Sequence, residues 1–240
     1  MYLPVGPLVN AAAIIGGAII GLSLGGALPE RVRTNLPTLF GLFCIGLGIT
    51  TIPGVKYFAA VSIASVLGLV IGEWVDIEKW IKQLATASQN LVDKILPKKG
   101  DLSAEKFLEN YVSLVILFCF SGMGIFGATN EGMSGDPSIL YIKAILDVFT
   151  AMIFAISLGA IVAFIAIPQT LFQCLLFFLA ALIVPLTTPD MRADFAAAGG
   201  LMLLMTGLRI MGIKSFPVAN MLPSLILVMP LSHIWATYVV

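Results

Sequence analysis

Long apolar segments dominate this chain, and they constrain its fold more than any other feature. A bilayer core about 30 Å thick requires about 20 predominantly apolar residues from each helix that spans it. Only 11% of the residues are charged, whereas a soluble domain averages about 25%. The segments lie roughly at 8–28, 35–53, 56–74, 110–127, 138–166, 169–187, 195–213 and 217–238. Barrel strands would be shorter and would alternate in polarity, so the sequence predicts an all-α, polytopic membrane protein with about eight transmembrane helices.

The positive charges are divided unevenly between the two sets of connecting loops. If the N-terminus lies outside, ten Lys and Arg residues fall on the inner side and three on the outer side. Lys and Arg accumulate in cytoplasmic loops, so this bias predicts a multi-pass protein with its N-terminus outside. The first apolar segment has no Lys or Arg before it and no AxA-type site after it, which indicates a retained span and not a cleaved signal peptide.

One substantial hydrophilic stretch, 75–105, interrupts the apolar segments. Apolar residues recur in it at helical spacing, with lysines and acids between them. This pattern is typical of an amphipathic helix on the inner membrane surface, and a solvated linker is the alternative. The predicted parts of the chain are a first three-helix membrane repeat (1–74), a cytoplasmic amphipathic segment (75–105), a central helix pair with an outer polar loop (106–166) and a second three-helix membrane repeat (167–240).

Internal similarity indicates duplicated helices. LPERVRTNLPTLFGLFC (28–44) aligns without gaps to SAEKFLENYVSLVILFC (103–119), and a weaker copy lies at 188–210. Spans one to three therefore resemble spans six to eight. Because an odd number of spans precedes the second set, its orientation is inverted. Inverted three-helix repeats recur in secondary transporters and place a polar site near the bilayer midplane. Chance resemblance between apolar helices is the alternative.

Asp147 is the deepest acid in the predicted spans. It lies nine residues into the fifth segment, which at 1.5 Å per residue is about 14 Å, near the middle of the bilayer core. A carboxylate at that depth is a functional candidate, and Thr150, one turn further on, shares its face. The alternative is an ion pair with Lys143 that serves packing alone.

A glycine-rich polar segment, GATNEGMSGDPS (127–138), joins the fourth and fifth spans. Its glycines permit tight backbone turns and a re-entrant dip into the membrane. Asn130, Glu131 and Asp136 would then form a mouth that attracts cations. The alternative is an ordinary exposed turn between two helices.

The other candidates are small or amide side chains. Ser121 belongs to a small-residue face that either packs helices or lines a pore. Buried asparagine amides bond between helices or bind an ion through their carbonyl, and Arg209 is expected to extend its charge to the lipid headgroups. The predicted ion- or substrate-binding residues are Asp147, Thr150, Glu131, Asn130, Ser121, Asn110, Asn10 and Asn220.

Catalysis and cofactor binding find little support in the sequence. It contains no HExxH, GxSxG or P-loop motif and a single histidine. Its three cysteines, Cys44, Cys119 and Cys174, lie in apolar runs without metal-ligand spacing and are expected to be reduced packing residues. The net charge is zero, with no basic block suited to nucleic acid. The sequence therefore predicts no enzyme, no cofactor, no metal site and no nucleic-acid partner.

Several long motifs carry a family resemblance. They are ENYVSLVILFCFSGMGIFGATNEGMSGDPSIL, DVFTAMIFAISLG, PLTTPDMRADFAAAGGLMLLMTGLRIMGIK and FPVANMLPSL. Through them the chain resembles the bacterial YqgA/YdfK-type inner-membrane proteins over nearly its whole length. This is a domain-of-unknown-function family, so the resemblance implies a bacterial inner-membrane location and a polytopic helical fold. It implies no substrate and no catalytic residue.

Together these observations predict a secondary transporter or channel for a small ion or solute, with a cation favoured and a polar pathway around Asp147. Its expected partners are the lipid bilayer, the small solute and further copies of itself in a homo-oligomer. The alternative is a non-transporting scaffold or regulatory module that acts through helix packing in homo- or hetero-oligomers. A water-filled cavity at Asp147 would favour transport, whereas a close-packed pair of Asp147 with Lys143 would favour the scaffold.

Overall fold

The computed structural model describes residues 3–24, 29–83, 111 and 114–239, and within these ranges the regular structure is helical throughout. The helices are α1 (Val5–Leu24), α2 (Glu30–Thr51), α3 (Phe58–Val75), α4 (77–83), α5 (114–119), α6 (Gly122–Ser134), α7 (Ser138–Leu158), α8 (Ile161–Phe164), α9 (Ala166–Ile183), α10 (Pro189–Ile210) and α11 (Leu222–Tyr238). Of the predicted amphipathic stretch, α4 is described, and the remainder lies outside the described residues.

Eight helical stretches in the described ranges are long and apolar enough to cross a membrane. They are Val5–Leu24, Glu30–Gly54, Phe58–Val75, Leu114–Ser134, Ser138–Ile156, Ile161–Leu186, Pro189–Ile210 and Val218–Tyr238. The predicted all-α, polytopic fold with about eight spans is therefore confirmed.

The boundary between the fifth and sixth spans differs from the prediction. The helix α7 ends at Leu158, and Gly159 follows with a φ of 78°. Glycine adopts this left-handed conformation without steric cost and commonly ends helices. The length of the predicted fifth segment, 138–166, indicates a tilt or a break near residues 157–159, and the structure shows the break. The assignment of 161–166 to the fifth span was wrong, because these residues open the sixth span, where Pro168 lies in the first turn of α9 and its missing N–H is tolerated.

The chain divides into two compact units. The first comprises Met1–Leu36 and Lys79–Ala181, and the second comprises Pro37–Glu78 and Leu182–Val240. One boundary falls at Pro37, inside α2, where a proline removes a helical hydrogen bond. The four-part division drawn from the sequence stays a prediction.

In the first unit, α1 packs along α7 through glycines one turn apart. A methyl group added to Gly17 would meet the backbone carbonyl of Val148, and one added to Gly21 would meet that of Met152. Small residues at such positions let helix backbones approach closely. Both contact pairs advance in the same chain direction, so α1 and α7 run parallel.

In the second unit, α2 and α10 pack through two reciprocal glycine contacts. A methyl group on Gly41 would lie 2.7 Å from the carbonyl oxygen of Gly207, and one on Gly207 would lie 2.6 Å from that of Gly41. Gly48 and Gly200 oppose each other in the same way, at 2.7 and 3.0 Å. The two helices therefore run antiparallel, as equivalent helices of an inverted repeat would. The repeat itself stays a prediction.

Candidate functional site

The fourth span is a discontinuous helix. The helix α5 ends at residue 119, Phe120 and Ser121 leave the helical conformation, and α6 begins at Gly122. Ser121 is extended (φ −70°, ψ 147°), and its Oγ accepts a hydrogen bond from the Gly124 N–H at 3.2 Å. This is a standard N-cap arrangement. The candidate span Leu114–Ser134 is 21 residues long and contains both helices, so the N-terminus of α6 lies within the span.

Five buried polar side chains from three helices lie near this break. We call them the polar cluster: Asn10 of α1, Lys143 and Asp147 of α7, and Gln169 and Gln173 of α9, all between 0% and 5% exposed. The Lys143 ammonium forms an ion pair with the Asp147 carboxylate. The Asn10 Nδ2 donates to the Gln173 Oε1 at 3.5 Å, and the Gln169 amide donates to the same oxygen. Asn10 also hydrogen-bonds to the Asp147 carboxylate, so the cluster joins three helices.

The first turn of α6 lies directly against this network. A methyl group added to Gly124 would lie 3.0 Å from the Lys143 Cε and 3.1 Å from both the Gln173 Nε2 and the Ser121 Oγ. The Lys143 ammonium also lies 5.7 Å from the centroid of the Phe118 ring, on the other side of the break. The absent side chain of Gly124 thus allows the helix terminus to approach the cluster.

Three buried polar atoms of the first unit lack a hydrogen-bond partner among the described residues. They are the Asn10 Oδ1, the Gln173 Nε2 and the Glu131 Oε2. Most buried polar side-chain atoms in folded proteins are paired, and an unpaired one costs about 1–3 kcal/mol. Two of the three belong to the polar cluster, which therefore holds an unused donor and an unused acceptor.

Glu131 lies elsewhere than the sequence predicted. The helix α6 continues through Ser134, and a short turn at 135–137, where Gly135 has a φ of 77°, leads into α7. The re-entrant dip was therefore wrong, and the alternative of an ordinary turn is what the structure shows. Glu131 is 1% exposed, and its Oε1 accepts a hydrogen bond from the Gly6 N–H at 3.0 Å, at the start of α1. A carboxylate at a helix N-terminus is favourable.

The remaining predicted residues of the first unit bond within their own helices or lie outside the description. Thr150 is half-buried and donates to the Leu146 carbonyl at 2.9 Å. The Asn130 Nδ2 is 3.4 Å from the Ser134 Oγ. Asn110 lies outside the described residues. Of the predicted site residues, the structure thus brings together Asn10, Asp147 and Ser121 around the break.

Comparison with known proteins decides the family. A family profile described as "Protein of unknown function (DUF554)" matches residues 5–233. The chain belongs to the DUF554 family. It is 50% identical over 234 residues to "Uncharacterized protein YqgA" of Escherichia coli (strain K12), with 98% of each chain covered. It is 26% identical over 226 residues to "Uncharacterized membrane protein YdfK" of Bacillus subtilis (strain 168), with 92% of this chain and 93% of that protein covered.

No solved structure matches this DUF554 chain. The family resemblance derived from its motifs is confirmed. The Bacillus relative is named a membrane protein, which agrees with the membrane character of the eight spans.

In the second unit of this DUF554 protein, Asn220 belongs to a structural clamp. Its Oδ1 accepts a hydrogen bond from the Glu78 N–H at 2.8 Å. The Glu78 carboxylate in turn accepts two hydrogen bonds from the Arg209 guanidinium, both at 2.9 Å, and Arg209 also donates to the Phe216 carbonyl at 2.9 Å. Glu78 and a backbone carbonyl thus bind the Arg209 guanidinium, whose side chain is 31% exposed, and its extension to the headgroups stays a prediction.

Sequence reasoning missed Asp194, the fully buried acid of the second unit. Its Oδ1 accepts hydrogen bonds from the N–H groups of Lys56 (2.7 Å) and Tyr57 (3.0 Å), at the start of α3, and its Oδ2 accepts one from the Ser232 Oγ (2.7 Å). These partners are remote in sequence, so no local pattern reveals them. A signal did exist for Gln169 and Gln173, which are two amides one turn apart in an otherwise apolar helix.

Proposed function

We propose that this protein is a membrane transport protein, a secondary transporter or channel, whose solute passes through the polar cluster of the first unit. The observation that carries the proposal is the break of the fourth span beside five buried polar side chains. In secondary transporters, discontinuous spans direct their half-helix ends at the solute near the midplane. Irregular backbone at that depth is tolerated where it is buried in protein or lines a cavity.

The energetics of the cluster support a use beyond packing. Ionisable side chains inside a membrane are expensive and commonly mark solute pathways. The unpaired Asn10 Oδ1 and Gln173 Nε2 add about 1–3 kcal/mol each to the cost of this fold. A polar solute that bonded to them would offset that cost, whereas apolar side chains at the same positions would avoid it altogether.

The charges around the cluster change the preference for a cation that the sequence indicated. Asp147 is paired with Lys143, and Glu131 accepts a hydrogen bond at the N-terminus of α1. Asp147, the acid of the polar cluster, is thus compensated by Lys143 and offers no free negative charge to a cation there, whereas Glu131 lies outside the cluster and keeps its Oε2 unpaired. We also propose an inner-membrane location, which the family resemblance supports, and an N-terminus outside, which the charge bias of the loops supports. We propose transport in place of catalysis because the sequence has no recognised catalytic motif.

One observation favours the second candidate, a membrane scaffold that assembles with copies of itself or with partners. Lys143 and Asp147 are 2% and 5% exposed and in direct contact, which is the arrangement expected of a pair that serves packing alone. Such a protein would carry no solute, and neutralising the pair would change its stability without changing any flux.

Reconstitution in liposomes separates the two candidates. Asp147→Asn should reduce solute flux, but it leaves the Lys143 charge buried and unpaired, which costs about 3–5 kcal/mol and endangers folding. The sharper variant is therefore the neutral double substitution Lys143→Met with Asp147→Leu, which removes both charges together. We expect the wild type to carry a flux and the double variant to lose most of it while remaining folded.

A matched control neutralises a second ion pair, that of Glu78 with Arg209. The double substitution Glu78→Leu with Arg209→Met changes a pair of the same charge in the second unit and should retain flux wherever the protein folds. Absence of any flux of common ions or small anions from folded wild type, or equal flux in the Lys143 and Asp147 double variant, contradicts the proposed function.

A further inference from the structure

The first turn of α6 presents hydrogen-bond donors to the interior of the first unit. The first N–H groups of any α-helix have no acceptor within the helix. Ser121 accepts from the Gly124 N–H, which leaves those of Gly122 and Met123 directed toward the cluster end of α6. A helix N-terminus also carries about half a positive charge. This end of α6 is therefore suited to a negative group.

A second, independent donor points at the same place. Gln173 is fully buried, and its Nε2 has no partner among the residues that the structure describes. That nitrogen lies 3.1 Å from the position that a side chain on Gly124 would take, so it faces the first turn of α6. An unused amide donor thus lies against a helix N-terminus, packed so closely that a methyl group on Gly124 would displace its neighbours.

The positive charge of the neighbouring Lys143 is also suited to an anion. The Lys143 Cε lies 3.0 Å from the same Gly124 position, and its ammonium carries three protons, of which the contact with Asp147 engages only part. The nearby carboxylate and the Ser121 hydroxyl are already bonded. Donors therefore outnumber free acceptors beside the break, and the free acceptor of the cluster is the Asn10 Oδ1.

We infer that the first turn of α6, Gln173 and Lys143 form a binding site for a small monovalent anion, either a halide ion or the carboxylate end of a small solute. The inference rests on the proposed function, because it takes the polar cluster as the solute site, and it replaces the cation predicted from the sequence. The backbone N–H groups and the Gln173 amide bind the anion, and Lys143 compensates its charge while Asp147 holds the lysine in place.

Direct binding to the purified protein tests the site without any transport step. The protein in detergent, in Tris sulfate buffer, is titrated calorimetrically with chloride or acetate as N-methylglucamine salts, and separately with sodium or potassium sulfate. We expect saturable binding of chloride, of acetate or of both. Binding of chloride alone identifies a halide site, and binding of acetate identifies a carboxylate site.

Substitutions at the donors separate the site from general effects on the fold. Gln173→Glu replaces the amide donor by a carboxylate, and Gln173→Leu removes the donor without adding charge. Either variant tests the donor, so the test holds if only one of them folds. Loss of a hydrogen bond to an ionised ligand should weaken anion binding about tenfold or more. Gly124→Ala should do the same by displacing the Gln173 amide and the Lys143 side chain, whereas Gly16→Ala, whose added methyl group meets nothing within 4 Å, should bind within about twofold of wild type.

Two results overturn the inference. One is the absence of saturable chloride and acetate binding to folded wild type. The other is saturable binding of sodium or potassium that Gln173→Glu strengthens, which would show a cation site. Failure of the wider function looks different: anion binding without any flux in liposomes would refute transport and leave the site standing, and flux without anion binding would refute the site alone.

Discussion

Replacing Asp194 by alanine removes the acceptor that holds the start of α3 and the side chain of Ser232 in the second unit. The N–H groups of Lys56 and Tyr57 and the Ser232 hydroxyl all donate to this one buried carboxylate, at 2.7, 3.0 and 2.7 Å. A hydrogen bond to an ionised group contributes about 1.5–3 kcal/mol, so three would contribute about 4–9 kcal/mol if they were independent. Because they share one carboxylate, we expect a loss of about 3–5 kcal/mol in the free energy of unfolding.

Two native cysteines allow this loss to be measured separately in each unit. Cys44 lies in the second unit and Cys119 in the first, and both are 1% exposed. In variants that keep only one of them, a thiol-reactive fluorophore reports thermal exposure of that unit. Asp194→Ala should lower the midpoint reported by Cys44 by roughly 6–20 °C. The control Asp190→Ala removes an acid from the first turn of the same helix and should cost about 0.3–1 kcal/mol. An unchanged Cys44 midpoint in Asp194→Ala would refute the assigned role of this carboxylate.

Three further predictions use the same reporters. Arg209→Lys loses the paired hydrogen bonds to Glu78 and should lower the Cys44 midpoint by an amount equivalent to about 1–3 kcal/mol; a change below about 0.5 kcal/mol would show that the clamp is dispensable. Gly21→Ala places a methyl group against the Met152 carbonyl and should lower the free energy of unfolding of the first unit by about 1–3 kcal/mol, as α1 and α7 separate. The Cys119 midpoint should fall accordingly, and an unaltered midpoint would contradict the close packing of the two helices. Glu131→Gln keeps an oxygen for the N-terminus of α1 and removes a buried charge, so the Cys119 midpoint should stay or rise; a marked fall would show that the charge itself stabilises the unit.

The fold followed from the sequence because lipid imposes a simple rule on helices. Apolar segments of about 20 residues must span the membrane as helices, and the eight predicted segments correspond to the eight candidate spans of the structure. The end of α7 before Gly159 was also foreseeable, since a glycine late in an overlong apolar segment commonly ends a helix. The sixth span began earlier than expected because Pro168 is tolerated in a first helical turn.

The break of the fourth span was not foreseeable from local sequence. The run from Leu114 to Ile125 is apolar or small throughout and is compatible with an unbroken helix. The glycines beside Ser121 were interpreted as a packing face, whereas in the structure Gly124 brings a helix end against Lys143 and Gln173. Such a break depends on side chains from other helices, and that information is not present in the segment itself.

The candidate acids illustrate the same division between local and long-range information. The sequence itself indicates an ion pair of Lys143 with Asp147 as an alternative, because residues four apart share a helix face, and the structure contains this pair. The bond between Glu131 and the Gly6 N–H joins residues 125 positions apart, so the local sequence that predicted a cation mouth did not reveal it. Hydropathy placed Asp147 in a predicted span, as the structure does, but did not show what would compensate either acid.

The central claim is that the polar cluster of the first unit is a solute site that water and ions reach. Ser121→Cys, in a background where the native cysteines are replaced, tests this directly, because Ser121 lies at the break and contacts the same Gly124 position as Gln173. A charged, membrane-impermeant methanethiosulfonate reagent is added to the protein in proteoliposomes, with and without chloride or acetate. We predict that the cysteine is modified and that the bound anion slows its modification, while Ile14→Cys in the apolar core stays unreactive. A folded Ser121→Cys protein that the reagent never modifies, or whose modification neither anion slows, would contradict the account.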